Sequence, residues 1–118
     1  MNINDSKYWL RKTVKVEIDR PLNSAHPQFP KNIYPINYGY IPNTFSEIDK
    51  EEIDAYVMGP SEPIKNFIGK VIAVIVRTDD EIKLVVTDGI KYSNQDIRRM
   101  TDFQEKYHES SIIRQEDF

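Results

Sequence analysis

The sequence predicts a mainly β protein of the α+β class, in which about five strands form a mostly antiparallel barrel that is followed by one helix. Three observations support this prediction. Residues 13–18 alternate between apolar and polar side chains, and residues 70–77 are apolar on both faces. Residues 93–108 instead repeat their apolar side chains at a helical spacing. Because a chain of 118 residues supports a single core, we expect one domain, residues 1–118.

The segments after the first strand are predicted to be irregular and then bent. Residues 19–32 contain three prolines, which fix φ and lack a backbone donor, so they favour a loop or a sheet edge. Residues 33–41 are rich in apolar and aromatic side chains but are interrupted by Pro35 and Gly39. This pattern is typical of a bent or bulged strand.

The second half of the chain completes the predicted barrel. Its segments are a strand at residues 53–59, a loop at 60–69, a central strand at 70–77 and its hairpin partner at 82–86. The helix is predicted to begin after Ser93, with Asp96 three residues later as a weak capping box. Residues 109–118 show no clear preference, and the last of them are expected to fray.

Charge and composition argue against several partners and chemistries. The chain has 16 basic and 19 acidic residues, and its net charge of −3 gives no general attraction to nucleic acid or anionic membranes. The absence of cysteine excludes disulfides, thiolate zinc sites and cysteine nucleophiles. Residues 1–14 lack the apolar run of a secretory signal, and the longest apolar run, residues 71–76, is too short to span a bilayer. We therefore expect a cytoplasmic protein.

Acidic side chains are concentrated in two predicted turns, residues 47–54 and residues 79–81. The simplest interpretation of each is a solvated surface turn. If the turns converge at one end of a barrel, two carboxylates about 4 Å apart repel by roughly 4 kcal/mol at an effective dielectric of about 20. Such a cluster must protonate, spread apart or bind cations. Oxygen ligands favour Mg²⁺ or Mn²⁺, and these ions in turn bind phosphates.

Residues 34–44, YPINYGYIPNT, resemble a motif of the soluble inorganic pyrophosphatases of family I almost residue for residue. Residues 49–54 are similar to the Asp-Gly-Asp-Pro-x-Asp motif of that family only at the acidic positions. The likeness extends from about residue 14 to residue 107, and the chain resembles a shortened subgroup of the family. The resemblance implies a five-stranded barrel of OB type with a C-terminal helix, and Mg²⁺-dependent hydrolysis of pyrophosphate to two phosphates.

The resemblance also implies roles for individual residues. By position, the metal ligands would be Asp49, Asp54, Asp79, Glu81 and Glu17. The catalytic residues would be Glu51, which positions the nucleophilic water, and the phosphate ligands Tyr38 and Lys83. The substrate-binding residues would be Tyr34, Tyr107, His108 and Lys31. Each residue also has a simpler interpretation, as aromatic packing for the tyrosines and as a solvated surface group for the charged residues.

The chain departs from the family pattern in ways that keep other functions open. A Lys-x-Glu segment after the first strand is missing, and His26 lies near the place of a phosphate-binding Arg, with Arg20 and Lys31 as candidate substitutes. A non-catalytic or repurposed homologue that binds a phosphorylated ligand or a protein is the first alternative. A module for single-stranded nucleic acid is the second, although the negative charge argues against it. We expect pyrophosphate or another phosphorylated small molecule as ligand, no nucleic-acid or membrane partner, and a homo-oligomer.

Overall fold

The computed structural model describes residues 3–45 and 50–117. The helices are α1 (Ile3–Trp9) and α2 (Asn94–Glu105), and a short 3-10 helix follows at Gln115–Asp117. The strands, in chain order, are β1 (Thr13–Arg20), β2 (Asn37–Tyr40), β3 (Asp54–Met58), β4 (Asn66–Arg77), β5 (Ile82–Thr87) and β6 (Ser110–Ile113). None of the helices in the described residues is long and apolar enough to cross a membrane.

Five strands close into a barrel in the order β1-β2-β3-β5-β4, and the pairing of β1 with β4 completes the circle. All of these pairs are antiparallel except β3 and β5, which run parallel. The strand β6 pairs with the second half of β4, beyond the part of β4 that pairs with β1. The predicted fold class, a five-stranded barrel of OB type with a C-terminal helix, is confirmed, with one parallel pair that makes the barrel mixed.

Two apolar cores lie on opposite faces of the sheet. The inner core fills the barrel with alternate residues of the strands, such as Val14 and Val16 of β1, and Leu10 after α1 belongs to it. The outer core lies between the sheet and α2, whose residue Ile97 is fully buried. The central part of β4 contributes to both cores, which explains why its sequence is apolar on both faces.

Several segments differ from the expectation from sequence, including α1, which the sequence pattern did not predict. The strand β4 begins at Asn66, inside the predicted loop 60–69, because its first residues pair with β1. The undecided tail forms β6 by pairing with β4. The helix α2 has the predicted capping box of Ser93 and Asp96 but ends at Glu105, three residues earlier than expected. The side chain of Tyr107 is therefore exposed and does not belong to the buried face of the helix.

The residues Asn37 and Gly39 have structural roles in residues 34–44, hereafter the aromatic motif. The buried Asn37 side chain accepts hydrogen bonds from the backbone N–H groups of Leu22 and Ile64, and it donates one to the carbonyl of Glu62. It thereby ties two loops to β2. Gly39 lies against the backbone of β1 so closely that a Cβ atom would be 1.9 Å from the carbonyl oxygen of Glu17. Only glycine fits there.

Substitution of Gly39 by alanine should therefore destabilise the fold by about 1–3 kcal/mol or more, because the added methyl group meets backbone that cannot rotate away. Urea unfolding followed by circular dichroism measures the change. Thr13→Ala, at an exposed position of β1, is the control and should stay within about 0.5 kcal/mol of the parent. An unchanged unfolding midpoint for Gly39→Ala would contradict the close approach of β1 and β2.

Candidate active site

The candidate site lies on the outer face of the barrel, where the pairing of β2, β3 and β5 aligns three polar side chains. Tyr40 is the cross-strand partner of Asp54, and Asp54 is the partner of Lys83 across the parallel pair. Cross-strand partners project from the same face of a sheet. Tyr38, two residues before Tyr40, continues this face toward α2. The strand register therefore brings together groups that are far apart in sequence.

Lys83 is the buried cation of this row, with a side chain that is only 5% exposed. Its ammonium group donates to Oδ2 of Asp54 at 2.5 Å and to Oε1 of Glu81 at 2.9 Å. Its Nζ also lies 5.8 Å from the centre of the Tyr38 ring. Burial alone would lower the pKa of Lys83, but Tyr38, Asp54 and Glu81 raise this pKa above its ordinary value. Lys83 is therefore held as a cation.

A second buried cation, Arg77 at the end of β4, lies beside Lys83. It shares Glu81 with Lys83 through a hydrogen bond of 3.2 Å, and it binds both carboxylate oxygens of Glu105 at 3.1 and 2.7 Å. Tyr56 donates to the same Glu105 carboxylate at 2.6 Å. Burial alone would raise the pKa of Glu105, but the hydrogen bonds from Arg77 and Tyr56 hold this pKa below its ordinary value. Glu105 thus links α2 to the floor of the site as a carboxylate.

Gln104 extends this network to the aromatic motif. Its Nε2 donates to the hydroxyl of Tyr56 at 2.9 Å, and its Oε1 accepts from the hydroxyl of Tyr34 at 3.3 Å. Burial raises the pKa of Tyr38 above its ordinary value, and it raises that of Tyr34 as well. Both tyrosines are therefore neutral phenols. The hydroxyl of Tyr34 already donates to Gln104, whereas that of Tyr38 can donate a hydrogen bond to an anion.

These groups surround a cavity of about 360 Å³, hereafter the charged cavity. Its walls combine carboxylates, cationic or imidazole groups and tyrosine hydroxyls, with acids toward one side. The lining residues are Asp19, Arg20, His26, Tyr34, Tyr38, Glu51, Asp54, Arg77, Lys83, Gln104 and His108. Such a mixture suits a small polyanion, because the cationic groups can bind its oxygens. The carboxylates can bind a water molecule or a metal ion.

A second cavity of about 280 Å³, hereafter the acidic cavity, adjoins the charged cavity and is lined by carboxylates and one phenol. Its residues are Asp19, Tyr40, Glu51, Glu52 and Asp54. Partial burial raises the pKa of Asp19, and Asp54 and Glu52 act in the same direction, although Arg20 opposes them. The neighbouring carboxylates thus add to the effect of burial on Asp19.

Several of the residues that the sequence predicts for the site line the charged cavity together. They are Glu51, Tyr38 and Lys83 from the predicted catalytic group, Tyr34 and His108 from the substrate-binding group, and Asp54 from the metal group. Glu81 contacts Lys83 and Arg77 beneath the cavity. His26 and Arg20, two candidate replacements for the missing arginine, are also in the lining.

Other predicted residues do not line the charged cavity, although Glu17 projects from the same face of the sheet. Glu17 is the partner of Tyr40 across β1 and β2, and its carboxylate pairs with Lys15 at 3.1 Å. The Asp79 carboxylate accepts from the backbone N–H of Glu81 at 3.0 Å and so closes the β4–β5 turn. Two substrate-binding candidates line a neighbouring surface groove and not the charged cavity, namely Lys31 and Tyr107. The remaining metal-ligand prediction, Asp49, lies outside the described residues.

Several residues of the site were not predicted, among them Asp19, Arg77, Gln104 and Glu105. The helical period could have found one of them, because Glu105 follows Ile97 and Thr101 at intervals of four on the buried face of α2. An arginine that ends an otherwise apolar strand could have pointed to Arg77. Each of these two patterns indicates a charged side chain at a buried position, and such a side chain requires a partner of opposite charge.

The residues present fit a hard divalent cation by their donor chemistry. The acidic cavity offers carboxylate oxygens, and Lys83 engages only one of the two oxygens of Asp54. As they stand, no three carboxylates or imidazoles among the described side chains, residues 6–45 and 50–117, are close enough together to form a metal site. Lys83 and Arg77 already compensate part of the acidic charge inside the protein.

The fold and the site together define a class of protein: a small OB-type barrel whose outer face carries a cavity lined by cationic and phenolic groups beside a cluster of carboxylates. Residues 6–113 match the family model described as inorganic pyrophosphatase. The chain therefore belongs to the inorganic pyrophosphatase family, an enzyme class that hydrolyses a phosphoanhydride. A search of curated proteins found no match to the sequence.

Solved bacterial structures share the fold at low sequence identity. An inorganic pyrophosphatase from Ehrlichia chaffeensis is 18% identical, with a TM-score of 0.66, and the match covers 89% of this chain and 87% of that chain. One from Neisseria gonorrhoeae is 20% identical, with a TM-score of 0.62 and coverage of 80% and 73%. One from Helicobacter pylori is 16% identical, with a TM-score of 0.61 and coverage of 90% and 86%. These likenesses show the shared barrel.

Proposed function

We propose that this chain hydrolyses pyrophosphate to two phosphates with the help of Mg²⁺, for which Mn²⁺ can substitute. The observation that carries the proposal is the pairing of Asp54 with Lys83 at the floor of one cavity. Carboxylates, cationic groups and phenols line the same cavity, and the cationic and phenolic groups suit phosphate oxygens. Membership of the pyrophosphatase family supports the same reaction.

The residues of the charged cavity can be assigned separate roles in binding phosphate and in binding the metal ion. Lys83 and Arg20 would bind phosphate oxygens as cations, and Tyr38 would donate its phenolic hydrogen because burial keeps it neutral. Asp54 would hold the ion together with the neighbouring acids of the acidic cavity. A divalent ion there would neutralise phosphate charge and acidify a water molecule.

Glu51 lines both cavities, as Asp19 and Asp54 do, and it is the position that the family resemblance relates to the nucleophilic water. We assign to it the orientation of the attacking water and the acceptance of its proton. The water oxygen forms a bond to one phosphorus, the bond from that phosphorus to the bridging oxygen breaks, and its electron pair leaves with the second phosphate. Lys83 and Tyr38 would stabilise the negative charge that develops on the leaving phosphate.

A phosphate-release assay across metals tests the proposal. With Mg²⁺ or Mn²⁺ we expect hydrolysis of pyrophosphate, and chelation of the metal should lower the rate by at least about 100-fold, since an ion supplies several kcal/mol of charge stabilisation. Glu51→Gln should lower kcat by roughly 100-fold through loss of the general base. Asp102→Asn, on the exposed part of α2, is the matched control. An unchanged rate in Glu51→Gln would overturn the role of Glu51 as general base. An unchanged rate after chelation would overturn the requirement for a divalent ion.

A further inference from the structure

A groove of aromatic side chains lies next to the charged cavity and is not used by the proposed mechanism. It is formed by Phe29, Asn32 and Tyr107, and it continues inward to Tyr34 and Phe103. We refer to it as the aromatic groove. Phe29 is 59% exposed and Tyr107 is 66% exposed. Large aromatic side chains left in solvent around a groove are characteristic of a binding surface.

The aromatic groove opens into the charged cavity. Its inner part, of about 110 Å³, shares four lining residues with the charged cavity: His26, Tyr34, Gln104 and His108. One ligand can therefore place its anionic part in the charged cavity and an uncharged part in the groove.

Three of the rings that line the groove pack in succession, and Phe29 at the outer end is left exposed. His26 lies parallel to Tyr34, with an interplanar angle of 5° and centroids 6.2 Å apart. The centroid of Phe29 is 5.1 Å from that of His26. The half-buried Asn32 lines the inner and outer parts of the groove and offers an amide to the edge of a heterocycle. Apolar walls with one or two placed polar groups are typical of small-molecule sites.

The charge of the groove favours an electron-rich or anionic ligand. Its lining, within the described chain, contains no aspartate or glutamate, and Lys31 lies at its outer rim. Bare pyrophosphate is small and wholly polar, so it gains nothing from this surface. The groove therefore adds recognition only for a substrate that carries an aromatic group.

We propose that the preferred substrate is an ester of pyrophosphate with a heteroaromatic group, such as a nucleoside diphosphate. Its base would stack against Phe29 and Tyr107, and its phosphates would lie at Lys83. This inference rests on the proposed function, since it uses the same hydrolytic site. The water oxygen bonds to the terminal phosphorus, and the bond from that phosphorus to the bridging oxygen breaks. The electron pair leaves on the bridging oxygen, which gives the nucleoside monophosphate and orthophosphate.

Kinetics with three probes test the inference: adenosine diphosphate, pyrophosphate and inorganic tripolyphosphate, each with Mg²⁺. Phe29→Ala and Tyr107→Ala should each raise KM for adenosine diphosphate by roughly 5-fold to 100-fold, the range expected for loss of base stacking. In Phe29→Ala, KM for pyrophosphate and tripolyphosphate should change less than about twofold, because neither probe carries a ring. Tyr8→Ala is the matched control, an aromatic residue of α1 that is 61% exposed. Calorimetry measures the dissociation constant for adenosine diphosphate in the parent and in each variant, and so makes the same comparison for binding.

The outcomes separate this inference from the proposed function. Hydrolysis of pyrophosphate without turnover or binding of adenosine diphosphate overturns the inference and leaves the proposed function in place. Absence of turnover on all three probes overturns the proposed function, and the inferred reaction falls with it. If Phe29→Ala and Tyr107→Ala change the sedimentation of the protein but not KM, the groove is a contact between copies of this chain, which also overturns the inference.

Discussion

Replacement of Asp54 by asparagine should lower kcat/KM for pyrophosphate by roughly 100-fold to 1,000-fold, the range seen when one preorganised electrostatic group is removed. Asp54 has two roles in the proposed site. It holds the Lys83 ammonium at 2.5 Å, and it belongs to the acids that would bind the metal ion. Asparagine keeps the shape of the side chain but loses the charge that both roles require.

The stability of the Asp54→Asn variant should fall by only about 1–3 kcal/mol, because Lys83 keeps its contact with Glu81. Phosphate release and urea unfolding, measured on the same preparations, separate loss of activity from loss of fold. Asp102→Asn on the exposed part of α2 is again the control. The double variant Asp54→Asn, Lys83→Met should be no worse than the poorer single variant if the two residues act as a unit. Activity within tenfold of the parent for Asp54→Asn would place the chemistry elsewhere.

Glu105→Ala should destabilise the protein by about 3–5 kcal/mol, the usual cost of breaking a buried ion pair from one side. The variant leaves the buried Arg77 guanidinium without the carboxylate that binds it through two nitrogens, and it removes the acceptor of the Tyr56 hydroxyl. Asp102→Ala, on the same helix but exposed, should change the free energy of unfolding by less than about 0.5 kcal/mol. Chemical unfolding at neutral pH provides the measurement.

The pH dependence of stability gives an independent check on Glu105. The pKa of Glu105 in the folded protein lies below its ordinary value. Its contribution to stability is therefore fully present above the ordinary pKa and is lost as the pH falls through the folded pKa. The difference in stability between the parent and Glu105→Gln should shrink as the solution is acidified. A difference that is constant with pH would contradict an ionised Glu105 in the buried pair.

The sequence by itself determined the local features of this protein. Alternation in residues 13–18 gave β1, the apolar run gave the centre of β4, and the capping pair Ser93 and Asp96 gave the start of α2. The aromatic motif pointed to the family before any geometry was known, because it places chemically distinct residues at adjacent positions. These features depend on neighbours within a few residues, which is the range that periodicity and capping report.

Only the tertiary structure decided which charged groups meet. Lys83 reaches Asp54 because β5 pairs in parallel with β3, and Arg77 reaches Glu105 because α2 packs on the outer face of the sheet. The end of α2 at Glu105 likewise placed Tyr107 in an exposed groove. Strand register and helix docking are set by burial summed over the whole core, so no local pattern of charges determines them. The same long-range pairing places Arg77 and Lys83 beside the carboxylates. The charge pattern of the sequence indicated only that carboxylates which converge require cations.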